Sequence, residues 1–198
     1  MKDTKQYILD TAFKLFLKKT FKEVTMKEIV EATDLSKGAF YHYFSSKEQL
    51  FREIVETYYL TQMLIGYEQF DQSSLRAFYN DYLNHVDTKE NALANEGDTN
   101  ANYFSLVFEA IRLFPETKVK FAENNALEIK IWSNVIARAK KNGEIKSEMS
   151  DENIAQLFLF SVDATSLRLL LLEEKNNRKM LQKKLIGFWD SFYKQLKS

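Results

Sequence analysis

Cysteine is absent from these 198 residues, which excludes disulfide scaffolds and thiolate metal sites. Proline occurs once and glycine five times, too seldom to punctuate a many-stranded sheet. That scarcity points to long helices. Of the two histidines, His42 and His85, neither stands in an E-x-x-H or H-E-x-x-H pattern, so no dedicated metal site is expected. The chain also lacks a G-x-S-x-G elbow, a phosphate-cradling glycine loop and a dinucleotide fingerprint, leaving no positive sign of an enzyme and no expected cofactor. Met1-Lys2-Asp3-Thr4-Lys5 carries no apolar block of the signal-peptide kind. The most apolar stretch, Ile154 to Leu172, is interrupted by Gln156, Asp163 and Arg168. A buried helix accounts for it better than a membrane span, and the expectation is a cytoplasmic protein with no membrane partner.

Charge of one sign is lacking too: 28 basic residues face 28 acidic ones. Residues 1–50 hold nine lysines against seven acids, an excess of two, a small asymmetry that cannot carry a nucleic-acid assignment by itself.

What is present is helical periodicity. Ile8, Ala12, Leu15 and Phe16 share one helix face. Thr25-Met26-Lys27-Glu28 has the form of a capping box and opens a short helix through Ile29, Val30 and Ala32. Thr33-Asp34-Leu35 interrupts it, aspartate being one of the few residues that tolerate a left-handed turn. Ser36 caps a third helix, expected from Lys37 to Phe44, and Ser45-Ser46-Lys47-Glu48-Gln49 offers a second capping box for a helix reaching about Gly66. Two short helices across a tight turn have the form of a DNA-reading helix-turn-helix. Further helices are expected over 74–86, 101–114, 116–142, 151–172 and 177–196. The polar stretch 87–102 between the first two of these is expected to be an exposed loop. The fold class is all-α.

The run from Thr25 to Leu50, extended back through Ile8, Ala12 and Phe16, resembles the DNA-binding signature of the TetR family of repressors. Thr20 and Asp34 depart from it, standing where that family often has glycine. The resemblance implies a helix-turn-helix domain over 1–48 and a helical regulatory domain over 49–198 for ligand binding and dimerisation. Residue by residue, it implies that Thr25 anchors a phosphate at a helix N-terminus. Lys27 and Lys37 would reach base edges or phosphates. Gly38 and Ala39 would allow close approach to the groove, and Tyr41, Tyr43 and Lys47 would contact phosphates. Phe40 and Phe44 are expected to face inward.

The partners it implies are double-stranded DNA with a palindromic operator, a small-molecule effector, and a second copy of the chain docked through the last two helices. Core packing is the default for any single aromatic side chain. Taken together, Met63, Tyr67, Tyr82, Tyr103, Phe104, Phe108 and Trp132 suit an adaptable pocket for an apolar or aromatic effector. Two other readings stay open at this point. One is a helical enzyme or metal carrier using His85 and Asp81 one turn before it. The other is a helical protein-binding adaptor whose helix-turn-helix reads no DNA.

Overall fold

The computed structural model describes residues 4–61, 66–93, 100–172 and 177–197. All regular structure among them is helical, with no strand. Nine α-helices follow in order: α1 Thr4–Phe16, α2 Met26–Thr33, α3 Lys37–Tyr41, α4 Lys47–Val55, α5 Leu75–Leu93, α6 Asn100–Leu113, α7 Pro115–Lys141, α8 Asp151–Leu171 and α9 Asn177–Lys197. Internal contacts gather into two compact units, 1–63 with 97–124, and 64–96 with 125–198. The expected domain boundary at residue 48 falls inside α4, within the first unit.

The first unit is built on local signals. Ile8, Leu9, Ala12, Phe13 and Phe16 form the buried face of α1. Thr25 caps α2, its hydroxyl accepting from the Glu28 amide at 3.2 Å. Only this half of the capping box forms, because the Glu28 carboxylate accepts from Lys19 at 2.6 Å instead. That bond holds the carboxyl below its usual pKa. Asp34 ends α2 at φ 54°, the left-handed turn its residue type tolerates. Thr20 forms a turn of its own: its amide and hydroxyl both donate to Glu23 at 2.8 Å. Ser36 accepts from the Ala39 amide at 3.2 Å and opens α3. That helix is shorter than expected, closing at Tyr41, with the amides of Tyr43 and Phe44 both returning to the Phe40 carbonyl.

Ser46 caps α4, and Gln49 accepts from Ser45 rather than closing the box on Ser46. The long helix expected from this point does not run on as an α-helix. Glu56–Leu60 is a π turn, in which the Thr61 amide donates to the Glu56 carbonyl five residues back at 3.0 Å. Residues of α7 grip it. Asn124 donates to the Leu60 carbonyl at 2.8 Å, and Lys120 pairs with Glu56 at 2.6 Å. Tyr58 hydrogen-bonds Asp10 and stacks on Phe13 at 4.2 Å.

The second unit is held by large rings. Phe78, Tyr79, Trp132, Phe158 and Trp189 are all at most 1% exposed, and their ring centroids lie 5.0–5.8 Å apart in mostly edge-to-face contacts. α5 runs to Leu93, so the first part of the stretch expected to be a loop, residues 87–93, is helical. Gly143 at φ 73° ends α7, where the Glu144 amide returns to the Ala139 carbonyl at 2.8 Å. Glu144 then caps α5, accepting from the amides of Leu75 and Arg76 and from the Tyr193 hydroxyl. Burial first, and then that carboxylate, push the Tyr193 hydroxyl up to about 12. No helix among the described residues is long and apolar enough to cross a membrane.

Candidate nucleic-acid interface

Phe40 and Phe44 are fully buried, whereas the rest of α3 and its cap face solvent. One apolar anchor on this five-residue helix and a second three residues beyond it leave the remaining surface of α3 free, and that surface is what a groove would meet. Thr25, Lys27, Lys37, Gly38, Ala39 and Tyr41 are exposed, while Tyr43 and Lys47 are half-buried. Of the eight residues expected at the interface, Thr25, Lys27, Lys37, Gly38, Ala39 and Lys47 lie on or beside the capped N-termini of three consecutive helices, and Tyr41 and Tyr43 at and just beyond the C-terminal end of α3. At the N-termini, amides not used within the helix point outward with the positive pole of the helix dipole.

The charges differ in how committed they are. The Lys27 ammonium stands 3.8 Å from Glu31 on an exposed surface, a loose pair that water screens. Lys37 enters no ion pair among the described residues. Lys47 is committed inward: its ammonium donates to the carbonyls of Phe21 and Val24, each at 2.7 Å, and lies 4.3 Å from the Phe21 ring centroid. Nothing in the sequence signalled these bonds, whose partners lie 26 and 23 residues away. His42 is exposed, its ring edge-on to Tyr43.

Gly38 has ordinary helical geometry, and a Cβ built there would meet nothing within 4 Å. The folded chain does not itself require glycine at this position. Alanine is the better helix former by up to about 1 kcal/mol.

The residues expected around an effector are divided. Tyr67, Tyr82 and Trp132 come together in the second unit, with Tyr67 and Trp132 each 5.3–6.0 Å from the Tyr82 ring. The Trp132 indole donates to the Tyr67 hydroxyl at 3.1 Å, and that hydroxyl bonds the Glu128 carboxylate. Burial drives the Tyr67 hydroxyl far above its ordinary pKa, so it stays a neutral donor. Phe104 and Phe108 lie on α6, in the first unit, and Phe108 is 64% exposed. Met63 and the Tyr103 side chain lie outside the described residues. Asp81 accepts from the Asp71 amide at 2.7 Å, and the His85 ring packs 5.4 Å from Phe70. Among the described residues no group of three metal-ligating side chains forms.

On α8 and α9 a different surface appears. Leu157, Phe160, Leu167 and Leu171 of α8, with Ile186 and Phe188 of α9, are 42–67% exposed. Between the helices runs an open groove of about 560 Å³ whose lining includes Leu157, Leu169, Phe188, Trp189 and Phe192. Apolar exposure gathered in this way marks an interaction surface.

The family model described as bacterial regulatory proteins of the tetR family matches residues 8–54. The Bacillus subtilis HTH-type transcriptional regulator YfiR is 29% identical over 178 residues, 88% of this chain and 84% of that one. The Escherichia coli HTH-type transcriptional repressor NemR is 32% identical over 88 residues, 41% of this chain and 44% of its own. Other curated relatives match over a shorter stretch, the chain spanning as little as 20% of their length. A TetR transcription regulator from Haloarcula marismortui has a solved structure with TM-score 0.75 at 14% identity, covering 96% of this chain and 98% of that one.

Proposed function

We propose, on the premise that this chain belongs to the TetR family of bacterial regulatory proteins, that it is a homodimeric repressor released from a palindromic operator by a small apolar or aromatic effector. The carrying observation is the division of α3 between the fully buried Phe40, backed by Phe44 just beyond the helix, and an outward surface of Lys37, Gly38, Ala39 and Tyr41. On this reading Lys27 and Lys37 read bases or phosphates, and Thr25, Tyr41 and Tyr43 anchor the backbone on either side. Residues 1–48 form the DNA-binding domain and 49–198 the regulatory domain of a cytoplasmic protein.

The second copy docks on the exposed apolar faces of α8 and α9, burying Phe160, Leu171 and Phe188. Two recognition helices about 34 Å apart then read the two halves of a palindrome. The effector binds beside Tyr67, Tyr82 and Trp132. It acts only as far as it prefers the state that does not bind DNA, a tenfold preference being worth about 1.4 kcal/mol per site.

The test is binding of the purified protein to labelled DNA from its own promoter region, over a salt series, with unrelated DNA as competitor. One short palindrome should be preferred, with affinity falling steeply as salt rises. Equal binding to every duplex would remove operator recognition from the reading.

A further inference from the structure

A lysine at the first position of a helix is misplaced by electrostatics alone, since the helix dipole presents its positive end there. Lys47 occupies that position in α4. What offsets the repulsion is the pair of carbonyls it reaches, Phe21 and Val24 at 2.7 Å each, together with the Phe21 ring face 4.3 Å away. Phe21 is itself fixed, 4.8 Å from Phe51 and 6.0 Å from Phe16. Val24 is fully buried and directly precedes Thr25, whose hydroxyl caps α2. The ammonium thus bridges the start of α4 to the connection that delivers the chain into α2.

We propose that Lys47 is a positioning residue for DNA binding: by holding the carbonyls of Phe21 and Val24 it sets the place of Thr25 and the N-terminus of α2, and it makes no phosphate contact of its own. The proposal rests on the reading of this module as DNA-binding, and it differs from the role the family resemblance implies. Two of the three ammonium protons are spent on carbonyls, and charge-assisted bonds of this kind are the strong ones. Withdrawing them for a phosphate would release the α1–α2 connection at the moment α2 has to be fixed.

Salt dependence separates the two roles. A phosphate contact releases counterions, so losing one lowers the slope of log affinity against log salt by about 0.9. A positioning residue lowers affinity and leaves the slope where it was. The experiment measures full-length wild type, K47M, T25V and the double variant on a fluorescent duplex of mixed sequence across a salt series. K47M is expected to bind roughly tenfold more weakly, as when hydrogen bonds to a charged group are lost, with an unchanged slope. The T25V loss should shrink in the K47M background, because Thr25 is already displaced. A slope lower by about 0.9 with additive losses would overturn the proposal, as would K47M binding like wild type.

Should K47M fail to fold, the wild-type protein still decides. The Lys47 Nζ resonance should show couplings across hydrogen bonds to the Phe21 and Val24 carbonyls, and these should persist when duplex is added. Their replacement by coupling to phosphorus would overturn the proposal. If wild type bound no duplex at any salt, the DNA-binding reading would fall and take the proposal with it. Failure in the variants or in the Nζ couplings alone would remove only the role of Lys47.

Discussion

The two compact units use the same side chains for opposite ends. Across α1–α4 of the first, phenylalanine means core: Phe16, Phe40, Phe44 and Phe51 are at most 1% exposed, and the outward surface of α3 is left to lysine, glycine, alanine and tyrosine. In the second, the rings divide. Trp132, Phe158 and Trp189 are buried, whereas Phe160 and Phe188 are 47% and 62% exposed. Where chemistry and burial separate cleanly, function can be read from residue type. Where apolar side chains serve both core and interface, only placement tells them apart.

The sharpest way to break that contrast is to compare Phe40 with its neighbour. Phe40→Ala should cost about 3–5 kcal/mol of stability and lose DNA binding through unfolding. Tyr41→Ala should stay within about 0.5 kcal/mol yet weaken binding at full fold. Urea denaturation beside a binding titration checks both. If Tyr41→Ala unfolded the module, the exposed surface of α3 would be part of the core after all.

Next in size is Phe188→Glu on α9. With a charge on the proposed dimer face, sedimentation velocity should move from dimer to monomer while helicity is retained. A variant sedimenting like wild type would take that face out of dimerisation. Tyr67→Phe comes third. It removes the hydroxyl shared by the Trp132 indole and Glu128, leaving two groups without that partner, at about 1–3 kcal/mol in thermal or chemical unfolding. No change would mean that water replaces the hydroxyl and the cluster is more open than its burial implies.

The smallest effect has two signs. Gly38→Ala should stabilise the fold by about 0.5–1 kcal/mol, since a Cβ there meets nothing, and should weaken DNA binding. A gain in both would show that the groove does not approach the backbone at this point.

These outcomes follow how much of the molecule its sequence disclosed. The turn between α2 and α3 was legible because its determinants are local: Thr25, Asp34 and Ser36 each act within four residues. The half-formed box at Glu28 was not, since Lys19 lies in another segment and competes for the carboxylate. Lys47 was legible as a cation and illegible as a clamp, because its carbonyls come from a distant connection. The stretch from Ile154 to Leu172 read as the most apolar of the chain, which could not say which leucines face outward. The polar run after Val86 suggested a loop, yet α5 carries it as helix to Leu93. Polar residues do not end a helix unless a breaker stands among them.

The π turn at Glu56–Leu60 has a practical consequence for protein engineering. Each residue of an α-helix advances about 100° around the axis, so the extra residue in this turn offsets the azimuth of Thr61 relative to α4 from a plain count. A foreign helix fused at Thr61 by matching heptads to α4 would present the wrong stripe. Deleting one residue within 56–60 would straighten the ladder and rotate the transplanted part by the same angle. The splice has to be counted from Thr61, with Lys120 and Asn124 carried along, because they hold the turn open.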